Sequence, residues 1–279
     1  MTSVDWLEVR VSGPAEVSFY ADALIQGQGF PGWVDEEPAE GFGYLVYLPQ
    51  EPGWQERLAV LQRVLQEKGL VVTTGGQVRD EDWAENWKQF YHPLEVGPRL
   101  VICPSWEKFS PRPEQLVVIL DPGSAFGTGY HWSTRLCLEF LEEVAPRQPM
   151  LDLGTGSGIL AIAGARLGVS DILAVDNDPV AVKVALENVA VNEVSIRVEL
   201  ADRAPARGYA LVTANLIASV LVEMAADLFA CLAPQGLLIC GGIIRERKAE
   251  VVEALSAAGL TLKDSKERED WVSLLLERS

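Results

Sequence analysis

The stretch Leu151-Asp152-Leu153-Gly154-Thr155-Gly156-Ser157-Gly158, residues 151–158, decides the fold. Met150 to Leu153 reads as a strand that runs straight into glycines, and Gly158 to Leu167 then reads as a helix. Downstream the alternation continues. Asp171 to Val175 is a strand, Pro179 to Val191 a helix, and Ser195–Leu200 and Tyr209–Ala214 are strands. Leu216 to Leu232 reads as one helix, with apolar residues at 216, 217, 220, 221, 224, 228 and 232. Leu237–Cys240 is a strand and Glu246–Ala258 a helix, and Leu260–Asp264 and Trp271–Leu276 are adjacent strands, as in a hairpin. Strand–helix alternation with short links predicts a mostly parallel sheet covered on both faces.

In such a sheet, ligands bind beyond the carboxyl ends of the strands. Lacking side chains, Gly154 and Gly156 let backbone N–H groups approach a ligand closely, and the helix behind them favours an anionic group. A dinucleotide fingerprint would need glycine where Ile159 stands, and the Gly-Lys-Ser/Thr of a phosphate loop does not occur. G-x-G-x-G after a strand is the form usual in S-adenosylmethionine enzymes. Asp176 ends the next strand, 18 residues beyond Gly158, where a carboxylate can accept hydrogen bonds from both ribose hydroxyls. The competing role, capping the next helix, suits Asp178 before Pro179 better. Asn215 ends the strand Tyr209–Ala214, where its amide can meet an amine of the substrate or of the cofactor, or else cap the helix that follows. Asp202, just past Leu200, is placed to reach an adenine amino group. Upstream, the glycine-rich Phe126-Gly127-Thr128-Gly129-Tyr130-His131-Trp132-Ser133-Thr134 reads as a flap with polar tips at Thr128, His131 and Thr134. His131 is a candidate general base or a structural residue at a helix start.

Length and composition frame these motifs. The 279 residues suit two domains, and 48% apolar with 23% charged residues excludes collagen, coiled coil and wholesale disorder. A net charge of −17 argues against direct nucleic-acid binding and for a basic partner. The acid is densest in residues 1–78, with four basic against eleven acidic residues, and Asp35, Glu36, Glu37 and Glu40 cluster in an expected loop there. This front unit reads as βαββαβ, the ferredoxin-like pattern: strands Trp6–Val11, Gly32–Val34, Gly43–Leu48 and Leu70–Thr73, and helices Ala15–Gln26 and from Pro52 to Gly69. The second helix has its apolar face at Leu58, Leu61, Val64 and Leu65. Gln77 to Asp82 reads as a flexible polar joint, and Trp83, Trp87 and Phe90 share one face of a short helix. Arg99–Cys103 and Gln115–Leu120 read as strands. Cys103, Cys137, Cys231 and Cys240 form no C-x-x-C pair and are expected as buried thiols in a reducing cytoplasm. With only His92 and His131, no metal site is expected. Neither a signal peptide nor a membrane span is read in the chain.

Over nearly its whole length the sequence resembles the bacterial methyltransferases of large-subunit ribosomal protein eleven. The likeness rests on Trp83-Ala-Glu-Asn-Trp-Lys, Cys103-Pro-Ser-Trp106, Asp121-Pro-Gly through Gly127-Thr-Gly, Leu153-Gly-Thr-Gly-Ser-Gly-Ile-Leu and Ala214-Asn-Leu-Ile. The Asp-Pro-Gly…Phe-Gly-Thr-Gly block is the most specific, since the glycine loop is common to all class I methyltransferases. The resemblance implies a class I, Rossmann-like, mostly parallel seven-stranded α/β sheet preceded by a small ferredoxin-like α+β domain. It implies S-adenosylmethionine held by Thr134, Gly154, Asp176 and Asn215, with Gly156 and Asp202 added from the chemistry above. It further implies N-methylation of amines of that ribosomal protein, read here as lysine ε-amines and the α-amine; a cytoplasmic monomer is expected, with Asn215, from its place at the strand end, as the catalytic residue that holds the amine. The expected division is 1–77 for substrate recognition, 78–92 as linker and short helix, and 93–279 for catalysis. Two departures stand out: His131-Trp132-Ser133-Thr134 where the family has His-Pro-Thr-Thr, and Asp176-Asn177-Asp178-Pro179 for Asp-Ile-Asp-Pro.

Overall fold

The computed structural model describes residues 6–14, 25, 33–36, 42–78, 91–121, 129–203, 205 and 207–279. The chain divides into a front unit, described between Trp6 and His92, and a larger unit from Pro93 onward.

The front unit comprises β1 (Trp6–Gly13), β2 (Trp33–Glu36), β3 (Phe42–Pro49), α1 (Trp54–Glu67) and β4 (Val71–Val78). The sheet order is β2-β3-β1-β4 with every neighbouring pair antiparallel, as a ferredoxin-like unit requires. Alternation along β1 buries Leu7, Val9 and Val11 in one core with Leu58, Leu61 and Leu65 of α1. Val64, expected on that face, is only half-buried. Gly69, at φ +78°, stops α1: its N–H bonds to the Gln66 carbonyl and that of Leu70 to the Leu65 carbonyl. Two expectations change. β4 runs on to Val78, through the start of the expected joint, because Trp6 and Leu7 of β1 extend far enough to pair with Val78 and Gln77. Asp35 and Glu36 lie in β2 and not in a loop, paired with Tyr44 and Gly43. Of the first helix only Ile25 is described, helical and buried; Glu37, Glu40, Trp83, Trp87, Phe90 and the flap residues 126–128 lie outside the described residues.

The larger unit begins with a small sheet of β5 (Leu94–Val96), β6 (Leu100–Cys103) and β7 (Leu116–Ile119). Then follow α2 (Trp132–Val144), β8 (Met150–Leu153), α3 (Ile159–Arg166), β9 (Ile172–Asp176), α4 (Pro179–Val191), β10 (Arg197–Leu200) and β11 (Tyr209–Asn215). After these come α5 (Ala218–Glu223), α6 (Ala225–Cys231), β12 (Leu232–Ile244), α7 (Lys248–Ala257), β13 (Leu260–Arg268) and β14 (Trp271–Arg278). The seven-stranded sheet has the order β10-β9-β8-β11-β12-β14-β13; β8 to β12 run parallel and β14 is antiparallel to both its neighbours. Its inner strands β8, β9 and β11 are largely apolar on both faces, as a covered parallel sheet demands. Leu151, Leu173, Val175 and Val212 enter one core, and Met150, Ile172, Ala174 and Leu211 the other. The chain leaves β8 in opposite directions, β9 on one side and β11 on the other, so the glycine loop sits at the topological switch point.

The expected helix from Leu216 to Leu232 is two helices, α5 and α6, separated at Met224 (φ −89°, ψ 5°). The Met224 N–H still bonds to the Val220 carbonyl, and that of Leu228 to Met224. Apolar spacing therefore survives the break: it records which side faces the core, not whether the dihedrals are continuous. The four cysteines are buried and free. Among the described residues no helix is long and apolar enough to cross a membrane.

Candidate active site

At the end of β8 the backbone turns through Gly154 (φ +69°), Gly156 (φ +54°) and Gly158 (φ +84°), conformations that side chains oppose. A Cβ at Gly154 would also collide with Leu216. The N–H groups of this loop are already engaged: those of Gly154 and Thr155 both bond to the Val175 carbonyl at 2.9 Å, and that of Gly156 to Asp176 Oδ2 at 2.9 Å. This corrects the expectation that Gly154 and Gly156 offer backbone donors to a ligand. What they offer is bare backbone beside a carboxylate.

Beneath the loop lies Asp152, which the sequence reading passed over. It is fully buried; the Thr155 and Thr213 hydroxyls each donate to it at 2.6 Å, and the Ala161 N–H at the start of α3 also bonds to it. Gly158 gives α3 no side-chain cap, so the Asp152 carboxylate serves the helix N-terminus in its place. Burial pushes its pKa up, against the lowering by the two hydroxyls and the N–H; the charge of Asp176 adds to the rise. The signal was legible: one carboxylate in an otherwise apolar strand must find buried partners.

Asp176 ends β9, half-buried. Its Oδ1 accepts the Asp178 N–H at 3.0 Å, and Oδ2 accepts that of Gly156. Each oxygen keeps a further lone pair, so a diol can still be accepted. Asp178 caps α4 by accepting the Val180 N–H at 2.8 Å, which frees Asp176 from that role. The Ala201 N–H bonds to the Asp176 carbonyl at 2.8 Å and brings Asp202, exposed, to the same sheet edge.

Asn215 ends β11. Its Nδ2 donates to Thr134 Oγ1 at 3.1 Å, and Thr134 is fully buried in the first turn of α2. Its Oδ1 is buried with no hydrogen-bond partner among the described residues. Gly241, paired with Asn215 across β12, leaves room there: a Cβ at 241 would stand 2.8 Å from Oδ1 and would strike Cys137. The alternative role fails, because α5 starts at Ala218 with Ile217 as its N-cap. A buried carbonyl without a donor costs about 1–3 kcal/mol. That cost is relieved when an N–H group enters.

His131 is the N-cap of α2. Its Nδ1 accepts the Ser133 N–H at 3.3 Å, lies 2.8 Å from Ser133 Oγ, and its ring meets Trp271 edge-on with centroids 4.4 Å apart. Burial, helped by the Arg135 charge, pushes its pKa down from 6.5 to about 4, so the ring is neutral at pH 7. Because the unfolded chain holds this proton up to about 6.5, stability is complete above that pH and falls as pH drops toward 4. The urea midpoint of the wild type is expected to fall between pH 6.5 and 4, and His131→Asn, which keeps a capping side chain, is expected to flatten that fall. An unchanged slope in the variant would remove His131 from this account.

A doubly wound sheet with a glycine-rich loop at its switch point, an acceptor carboxylate at the end of β9 and a buried amide oxygen without a partner among the described residues at the end of β11 defines the Rossmann-like methyltransferase class. The residues present fit a nucleoside sulfonium: Asp176 suits its diol, the loop its close approach, and Asn215 an N–H donor. The model of the family Ribosomal protein L11 methyltransferase (PrmA) matches residues 36–279. A ribosomal protein L11 methyltransferase of Chloroflexus aurantiacus is 39% identical, covering 100% of this chain and 99% of that protein. One of Geobacter metallireducens is 40% identical over 98% of each. The crystal structure of the ribosomal protein L11 methylase of Lactobacillus delbrueckii subsp. bulgaricus superposes with a TM-score of 0.62 at 31% identity, covering 68% of this chain and 98% of that one. The chain belongs to the ribosomal protein L11 methyltransferase family and is an S-adenosylmethionine-dependent enzyme.

Proposed function

We propose that this enzyme N-methylates amino groups of large-subunit ribosomal protein L11, lysine ε-amines and the N-terminal α-amine. When bound, S-adenosylmethionine supplies a methyl group on a sulfonium. Asp176 would hold the ribose hydroxyls, the Gly154–Gly156 backbone would allow the nucleoside a close approach, and Asp202 would take the adenine amino group. Thr134 orients the Asn215 amide, and Asn215 Oδ1 with the Ala214 backbone receives an amine N–H. An amine reacts only through its neutral form, and a lysine at a pKa of about 10.4 is charged in water. A dry site disfavours the ammonium and releases the proton, and Asn215, being uncharged, does not draw it back. Held geometry supplies the remaining acceleration. The names of the relatives support L11 as substrate, and the net charge of −17 favours a basic partner. Residues 1–77 are assigned to substrate recognition, 78–92 to the linker and 93–279 to catalysis, in a cytoplasmic monomer without nucleic-acid contacts.

The single observation that carries the amine assignment is the buried Asn215 Oδ1, which has no hydrogen-bond partner among the described residues. Mass spectrometry of L11 before and after incubation with enzyme and cofactor tests it. Added methyl groups on lysine or the α-amine are the expected result. Unmodified L11 alongside methylation of another protein, or cofactor binding with no transfer, would overturn the proposal.

A further inference from the structure

Two asparagines one turn apart on α4 have no part in the chemistry above. Asn188 Nδ2 donates to the Ser157 carbonyl, inside the glycine loop, at 2.8 Å. Asn192, buried at the C-cap of α4, donates from Nδ2 to the Asn188 carbonyl at 2.9 Å and to the Ile119 carbonyl at 2.7 Å. Its Oδ1 accepts the Ile119 N–H at 2.8 Å. Ile119 ends β7, the edge strand of its sheet. Leu116 and Leu120 send their N–H groups toward β6, at 2.7 and 3.0 Å, so the groups of Ile119 face the other way. The Asn192 amide thus stands where a neighbouring strand would. Arg166, the last residue of α3, also donates to the Asn192 carbonyl at 2.8 Å. On the same helix, Ala185 lies 3.4 Å from where a Cβ at Gly158 would sit.

We propose that Asn188 and Asn192 are positioning residues, a hydrogen-bonded strut that fixes the glycine loop against β7 and so sets affinity for the nucleoside. The proposal rests on assigning the cofactor to the rim of Gly154, Asp176 and Asn215. Neither asparagine belongs to that rim: their amides bond to the Ser157, Asn188 and Ile119 backbone. Asn188 holds the loop at Ser157, next to Gly156, whose N–H fixes the Asp176 carboxylate. Without the strut, the loop has to be ordered on binding, and affinity falls by that cost.

The test is calorimetric titration of the full-length protein with S-adenosylhomocysteine, together with thermal melting. Asn188→Ala is expected to weaken binding about fivefold, the usual worth of one hydrogen bond. Its Tm should hold, since alanine is the better helix former. Lys183→Ala, an exposed substitution on the same helix, should bind like the wild type. Asp176→Ala should bind tenfold or more weakly. Asn188→Ala binding normally while Asp176→Ala is impaired would overturn the strut and keep the rim. Both binding normally would overturn both. If Asn188→Ala melts early, hydrogen exchange separates the causes: faster exchange confined to the loop amides and Ile119 upholds the strut, and faster exchange throughout α4 overturns it.

Discussion

Asn215→Ala is expected to lower kcat/KM for L11 methylation by about a hundredfold, a loss of about 2.7 kcal/mol of transition-state stabilisation. Two contacts go together. The buried Oδ1, which has no partner among the described residues, disappears, and the Thr134 hydroxyl loses the donor that fixes the amide plane. The Asn215→Asp variant is the sharper probe. Its carboxylate still accepts an N–H, but its charge stabilises the ammonium form of the incoming amine. Transfer at pH 7 should therefore fall and recover at higher pH, where the amine deprotonates despite the carboxylate. Steady-state kinetics between pH 7 and about 10 would show the shift. An Asn215→Ala enzyme within threefold of the wild type, with unchanged Tm, would contradict the role.

Asp152→Ala is expected to be the most destabilising of these changes. It strands the buried Thr155 hydroxyl, leaves that of Thr213 only the Leu151 carbonyl at 3.4 Å, and removes the bond to the Ala161 N–H from α3. Each stranded group costs about 1–3 kcal/mol, against which the relief of burying a carboxylate returns a part. A net loss of about 3 kcal/mol corresponds to a fall in Tm of about 6–12 °C for the larger unit. Asp152→Asn should lose less, because its amide oxygen still accepts one hydroxyl and no charge is buried. Scanning calorimetry distinguishes the series. An alanine variant that melts with the wild type would mean that the two threonines find other partners.

Much of this architecture was legible in the sequence because it depends on local signals. Strand ends flow into glycines at Gly154, Asp178-Pro179 announces a helix start, and the apolar runs of β8, β9 and β11 mark strands covered on both faces. Asp176 and Asn215 stood out because a polar residue directly after such a run falls at a strand end. Other features depend on groups far apart in the chain. That the loop N–H groups bond to Val175 and Asp176 follows from the register of β8 against β9, which spacing does not reveal. The room beside the Asn215 amide oxygen depends on Gly241, which lies across from it in β12. Asp152 was open to inference from burial alone, whereas the Asn192–Ile119 contact, 73 residues apart, was not. The split of α5 from α6 escaped because hydrophobic spacing is blind to one non-helical residue.

The most direct measurement is a crystal structure with S-adenosylhomocysteine bound. It is expected to show the ribose hydroxyls on the Asp176 carboxylate and the nucleoside over Gly154 and Gly156, with Asn215 Oδ1 left for the amine of the substrate. A nucleoside bound elsewhere on the chain, with Asp176 contacting only protein and water, would contradict the account.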